Sequence, residues 1–298
     1  GTNMKKPLFS GACTALITPF SDTGIDTHAI SRIVDWQIDQ GVSALVACGT
    51  TGEPSTLEDD EWAQVIDTVV AQVKSRVPVI AGTGGNNTAH VIRQAKKARA
   101  LGADAQLCVT PYYNKASHDG LIAHYRAIAN ATDLPIIIYN VPSRTGLNLL
   151  PETLAVISEH ENIIAVKEAS ADMIRLADMM RLSSGRVDFF SGSDEVIVPF
   201  MAMGGLGVIS VMSNMVPKLT VKLTDLMQKG ETRQAAALQL KLFPLIHALF
   251  AEVNPIPVKA AMHMLGLCDN RLRLPLVPLT EGSHLRLENE MRALGLLA

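Results

Sequence analysis

The run Ile163-Ile164-Ala165-Val166 ends in Lys167 and Glu168, so two charged groups close an apolar stretch. An ammonium at the end of a buried strand is costly unless it is paired or loses its proton. Desolvation favours the neutral amine, and a neutral amine adds to carbonyl carbons to make imines. Lys167 is therefore a candidate nucleophile for a keto acid. The plainer account is a structural lysine paired with Glu168, but neighbouring residues of a strand face opposite sides, so Glu168 should point away. Tyr139 lies near the end of the preceding apolar run, 135–141. If the two runs are adjacent strands, its hydroxyl comes within reach of the Lys167 amine; otherwise it packs. Gly49-Thr50-Thr51-Gly52 offers a tight turn with free N–H groups and two hydroxyls. Such a turn can cradle a carboxylate, although an ordinary strand-to-helix connection looks the same. Arg144, in the loop 141–146, could grip a second carboxylate bidentately or simply be solvated.

Other residues point away from chemistry. The histidines at 28, 90, 118, 124, 160, 247, 263 and 284 fall mostly on helical stretches, and none ends an apolar run. A metal-dependent aldolase or hydrolase would need His or carboxylate clusters there, so no metal is expected. Cys13, Cys48, Cys108 and Cys268 are widely spaced, which suits buried thiols in a reducing cytosol better than a disulfide framework or a zinc site. Met201, Met203, Met212 and Met215 read as core, and the glycines at 204–207 read as a turn before a strand.

These residues need elements to position them. Short apolar runs recur at 11–17, 42–48, 77–81, 105–109, 135–141, 163–167, 187–191 and 207–211. Helical periodicity fills the gaps, for example at 58–75, 88–101, 117–131 and 172–182. Continuous apolar strands alternating with helices imply parallel strands buried on both faces. Eight such units predict a (β/α)8 barrel, a fold of typically about 250 residues whose active sites lie at the C-terminal strand ends. The competing open sheet lacks a Gly-x-Gly-x-x-Gly turn after its first strand. From 231 onward the pattern is helical (231–250, 256–266, 285–296), with Pro255, Pro257, Pro275 and Pro278 at the breaks. The expected organisation is a barrel over 1–230 carrying the active site and a helical C-terminal domain over 231–298.

Composition narrows the class. The chain of 298 residues is 48% hydrophobic, 18% charged and only 4% aromatic, with a mean hydropathy of +0.21. A fold of this size buries about three quarters of its unfolded surface, so a large core is available. A net charge of −3 and no basic run beyond Lys96-Lys97 argue against nucleic acid. No apolar window reaches the ~18 residues of a membrane span. No signal-peptide pattern opens the chain, so a cytoplasmic location is expected, and Gly1-Thr2-Asn3 reads as an expression scar.

In order along the chain stand Gly49-Thr50-Thr51-Gly52-Glu53, Pro111-Tyr112-Tyr113-Asn114, Tyr139-Asn140-Val141-Pro142-Ser143-Arg144-Thr145-Gly146, Val166-Lys167-Glu168-Ala169 and Asn254-Pro255-Ile256-Pro257-Val258-Lys259. With these the chain resembles the dihydrodipicolinate synthase family, pyruvate-dependent class I aldolases, from Met4 to its end. The resemblance implies that Lys167 forms an imine with pyruvate, and that the derived enamine attacks L-aspartate 4-semialdehyde, in lysine and diaminopimelate biosynthesis. It implies a proton relay of Tyr139, Thr50 and Tyr113, with Tyr113 reaching in from a neighbouring subunit of a homotetramer built as a dimer of dimers. Thr50 and Thr51 would hold the pyruvate carboxylate, Arg144 the semialdehyde carboxylate, and Gly192 and Ile209 would border the pyruvate. Apart from the covalent lysine–pyruvate imine, no cofactor is implied.

Two departures stand out. In lysine-inhibited relatives the effector pocket holds a glutamate where this chain has His90, and histidines where it has Asp59 and Trp62. Asn86 and Tyr112 match, so an allosteric lysine site at Asn86, His90 and Tyr112 is expected to respond weakly or not at all. Ser193-Asp194-Glu195, with Ser210 nearby, is similar to the sugar-contacting stretch of N-acetylneuraminate lyase, which keeps a sugar-acid aldolase as an alternative. A catalytically silent sensor of pyruvate or lysine is the alternative outside enzymes.

Overall fold

The computed structural model describes residues 5–298, so the proposed scar at 1–3 lies outside the described residues. Eight parallel strands close into a barrel. They are β1 Gly11–Ala15, β2 Ala44–Ala47, β3 Val79–Gly82, β4 Ala105–Val109, β5 Ile136–Asn140, β6 Ile163–Glu168, β7 Asp188–Ser191 and β8 Gly207–Ser210. Strand β1 pairs with β8 on one side and β2 on the other, which closes the ring. All eight expected strands form, several of them shorter by a residue or two at their ends. A two-stranded hairpin, Phe20–Ser21 with Gly24–Ile25, interrupts the first connection.

The alternation of each strand sorts its side chains. Cys13, Ala15, Ala44, Val46, Ile80, Ala105, Leu107, Ile137, Tyr139, Ala165, Phe190 and Ile209 belong to one buried cluster, which fills the barrel interior. Residues one step along, such as Cys108, Ile138 and Val166, pack outward against helices instead. Phe9, just ahead of β1, stacks on Phe190 with ring centroids 4.2 Å apart and fills the barrel from its N-terminal side.

Around the barrel run α1 Thr27–Asp39, α2 Asp59–Val73, α3 Thr88–Leu101, α4 His118–Ala131, α5 Pro151–Ile157, α6 Met173–Ser183, α7 Ile197–Ala202 and α8 Pro217–Gln228. Their starts follow the sequence chemistry. Asp26, Asn87, Ser117 and Asp172 cap α1, α3, α4 and α6 by accepting from the backbone N–H three residues on, satisfying donors that a helix leaves free. Helix α2 opens with a capping box between Glu58 and Glu61.

Three helices follow: α9 Thr232–Leu249, α10 Ile256–Met264 and α11 Glu281–Ala293. The last begins earlier than its apolar spacing indicates, because Thr280 and Glu281 start the helix on polar residues. Every residue from Ile256 to Met262 is buried. Residues of α9, α10 and α11 share one apolar cluster with α1, α2 and the loop after β1. Among the described residues no helix is long and apolar enough to cross a membrane.

Candidate active site

Strands β5 and β6 are neighbours, and their register places Tyr139 beside Lys167 and Asn140 beside Glu168. Lys167 lies two positions after the inward-facing Ala165, so it too enters the barrel. Its Nζ stands 4.1 Å from the centre of the Tyr139 ring. The side chain is buried, at 5% exposure, and among the described residues no carboxylate lies within ion-pair distance of it. The pairing with Glu168 is thereby excluded. Glu168 turns outward, where it accepts from Asn140 Nδ2 at 3.1 Å and from the Ser170 N–H at 2.8 Å. Burial pushes the Glu168 carboxyl up, against the pull of those hydrogen bonds.

Lys167 is closely surrounded. Burial pushes the Cys13 thiol up, while the nearby Lys167 charge pulls it down. Gly192 leaves room for the lysine stem, since a Cβ there would stand 3.1 Å from Lys167 Cε and 2.7 Å from Ala169 Cβ. Its N–H donates to Glu168 O at 2.8 Å, fixing this approach. Ile209, on β8, is buried in the same interior cluster as Tyr139.

Above these residues, Thr50 and Tyr139 line one cavity of about 290 Å³. Thr50 also lines a second cavity, of about 360 Å³, with Val141, Arg144 and Asn254. Thr50 and Thr51 form a 3-10 turn after β2. Thr51 is buried and accepts from Asn254 Nδ2 at 3.0 Å, while Arg144 Nη2 donates to Asn254 O at 3.1 Å. Asn254 thus joins the threonine turn to the arginine. Tyr113 stands apart, with φ at 74° and 90% of its surface exposed, and it does not enter the mouth of its own chain. Asn86, His90 and Tyr112 converge with Asp59 and Trp62 on the 290 Å³ cavity, and Asn86 Nδ2 donates to Tyr112 O at 3.0 Å.

In comparison with known proteins, residues 8–294 match the model of the dihydrodipicolinate synthetase family. The chain belongs to this family. A relative named 4-hydroxy-tetrahydrodipicolinate synthase from Pelobacter propionicus is 46% identical over 97% of this chain and 100% of its own length. The solved dihydrodipicolinate synthase of Thermotoga maritima superposes with a TM-score of 0.95 at 41% identity, over 97% of this chain and 100% of that one. A structure described as the first monomeric dihydrodipicolinate synthase variant gives 0.95 and 41%, over 97% and 98%.

Against this family frame, one motif reads differently in three dimensions. Asp194 does not offer its carboxylate to a sugar. It is buried, accepting from Ser210 Oγ at 2.6 Å and from the N–H groups of Val211 and Met212 at 3.2 and 2.9 Å. Burial raises its pKa. Asp194 and Ser210 therefore tie the loops after β7 and β8 together, a structural role for two residues of the stretch similar to a sugar-acid lyase. Two residues escaped the reading of residue types: Asn254, which reaches Thr51, and Lys259, which reaches Glu53 at 2.6 Å. The available signal was a single lysine inside the apolar stretch 256–262.

Proposed function

We propose that this chain is a 4-hydroxy-tetrahydrodipicolinate synthase, condensing pyruvate with L-aspartate 4-semialdehyde through an imine on Lys167. The observation that carries this reading is the Lys167–Tyr139 pair: an inward amine 4.1 Å from a tyrosine ring, with no carboxylate among the described residues within ion-pair distance of it. The amine adds to the pyruvate keto carbon, and the carbinolamine must shed water, a step that needs a proton delivered to its hydroxyl. Tyr139, beside the Lys167 amine, and Thr50, in the turn after β2, are suited to deliver that proton, and Tyr113 of a second copy would complete the relay. Loss of a methyl proton gives the enamine, which attacks the aldehyde carbon. The substrate's own amine then displaces Lys167, closing the ring and releasing the free enzyme.

The threonine turn is suited to one carboxylate and Arg144 to the other. Thr51 accepts from Asn254. Since the Gly52 N–H is used within the turn, donating to Gly49 O at 2.8 Å, the N–H groups of Thr50 and Thr51 are the donors suited to a carboxylate. Gly192 and Ile209 border the pyruvate methyl and imine. The assembly expected from this division of labour is a homo-oligomer of at least two chains, with the tetramer as the family form.

Turnover of L-aspartate 4-semialdehyde against N-acetylneuraminate, each assayed with purified enzyme and, for the first, pyruvate, tests the assignment. The expected result is rapid pyruvate consumption with the semialdehyde and no cleavage of the sugar acid. Efficient cleavage of N-acetylneuraminate would replace this reading with the sugar-acid aldolase.

A further inference from the structure

Lys259 is a second buried lysine, and the proposed reaction does not use it. Its Nζ donates to Glu53 Oε2 at 2.6 Å and to Thr18 O at 2.7 Å, and it sits 4.3 Å from the centre of the Phe20 ring. Neither charged group reaches solvent: the side chains are 0% and 2% exposed. The other Glu53 oxygen accepts the Arg273 N–H at 3.2 Å. Glu53 follows Thr50-Thr51-Gly52 directly and holds a left-handed backbone, φ 55° and ψ 48°, between two 3-10 turns. A non-glycine residue rarely adopts this conformation unless its surroundings enforce it.

The bonds form a closed set around the turn. Thr51 Oγ1 accepts from Asn254 Nδ2. Gly52 O accepts from Thr18 Oγ1 at 2.7 Å, and Thr18 O accepts from Lys259. Glu53 is held by Lys259 and Arg273. Three consecutive residues of the turn are thus fixed, directly or through Thr18, by the segment 254–273. Burial lowers the Lys259 pKa while Glu53 pulls it back up. A buried ion pair of this kind is a weak source of stability, because apolar replacements of similar volume often do as well or better. What it supplies is a fixed geometry.

We propose that Glu53 and Lys259 are positioning residues: their buried ion pair sets where Thr50 and Thr51 stand relative to Lys167. The helical tail is then part of the substrate site. The inference rests on the reading of the site given above, and the test separates the two. The full chain is prepared as wild type, Glu53→Gln, Lys259→Met and the double variant, which leaves no lone buried charge. Each is followed by thermal unfolding, by the KM for pyruvate and kcat, and by the rate at which borohydride traps pyruvate on the enzyme.

Misplacing a reacting group by about 1 Å costs on the order of 100-fold. The expected result is therefore a pyruvate KM raised about tenfold or more and trapping slowed by a similar factor. In the double variant this loss persists even though its unfolding midpoint returns close to that of the wild type. Recovery of KM and trapping rate together with stability in the double variant would overturn the proposal. So would wild-type kinetics in all three variants. Where a single variant does not fold, the double variant carries the test. No trapping in the wild type would remove the proposed function, and this inference with it.

Discussion

At the scale of single residues, the site depends on which face of a strand a side chain occupies. One position separates Lys167, inside the barrel, from Glu168, held outside by Asn140 and Ser170. That separation leaves the amine free of its sequence neighbour and beside Tyr139. The same scale bears on the expected response to lysine. His90, Asp59 and Trp62 share a cavity with Asn86 and Tyr112. The one carboxylate among these five, Asp59, stands where lysine-inhibited relatives carry a histidine, and His90 stands where they carry the gripping glutamate. The charge is thus not at the place that holds the effector ammonium. Saturating lysine is therefore expected to leave steady-state turnover nearly unchanged; half-inhibition at micromolar lysine would contradict this. Lys167, Tyr139 and Arg144 were legible in the sequence because barrel chemistry gathers at strand ends, and apolar runs mark those ends. Lys259 was not legible as the partner of Glu53, because the two are 206 positions apart. Only the packing of α10 against the loop after β2 brings them together.

At the scale of elements, helical periodicity foretold α2, α3, α4 and α6, and the continuous apolar runs foretold the strands. The contacts between elements are less visible in sequence, and His124 is an example. It lies on α4, buried, with Nδ1 2.8 Å from Thr88 Oγ1 on α3. Burial holds its pKa down to about 4, from a usual 6.5. The unfolded chain takes up a proton near 6.5, whereas the folded chain resists it until about 4. The contribution of neutral His124 is therefore complete above pH 6.5 and is lost progressively as pH falls toward 4. Denaturant unfolding at pH 7 and pH 4.5 should show a stability loss that His124→Gln reduces by about 2 kcal/mol. An identical pH dependence in the variant would mean that the histidine is already protonated when folded.

At the scale of the whole molecule, a closed sheet brings the ends of all eight strands to one mouth, and the tail lends that mouth Asn254 and Lys259. One candidate residue still faces away: Tyr113, 90% exposed on the isolated chain. If it serves a neighbour's site, Tyr113→Phe should lower turnover by about 100-fold, the scale of one proton-transfer group, while pyruvate binding survives. Mixing Tyr113→Phe chains with Lys167→Met chains should then restore part of the activity, since a mixed pair holds one site with both native groups. No recovery on mixing, with mixed pairs verified by mass, would take Tyr113 out of the relay. The imine on Lys167 is read out by reduction with borohydride in the presence of pyruvate, followed by peptide mass mapping. One reduced pyruvyl group per chain is expected, on Lys167, and none in Lys167→Met. An unmodified Lys167, or an adduct on another lysine, would contradict the proposed chemistry.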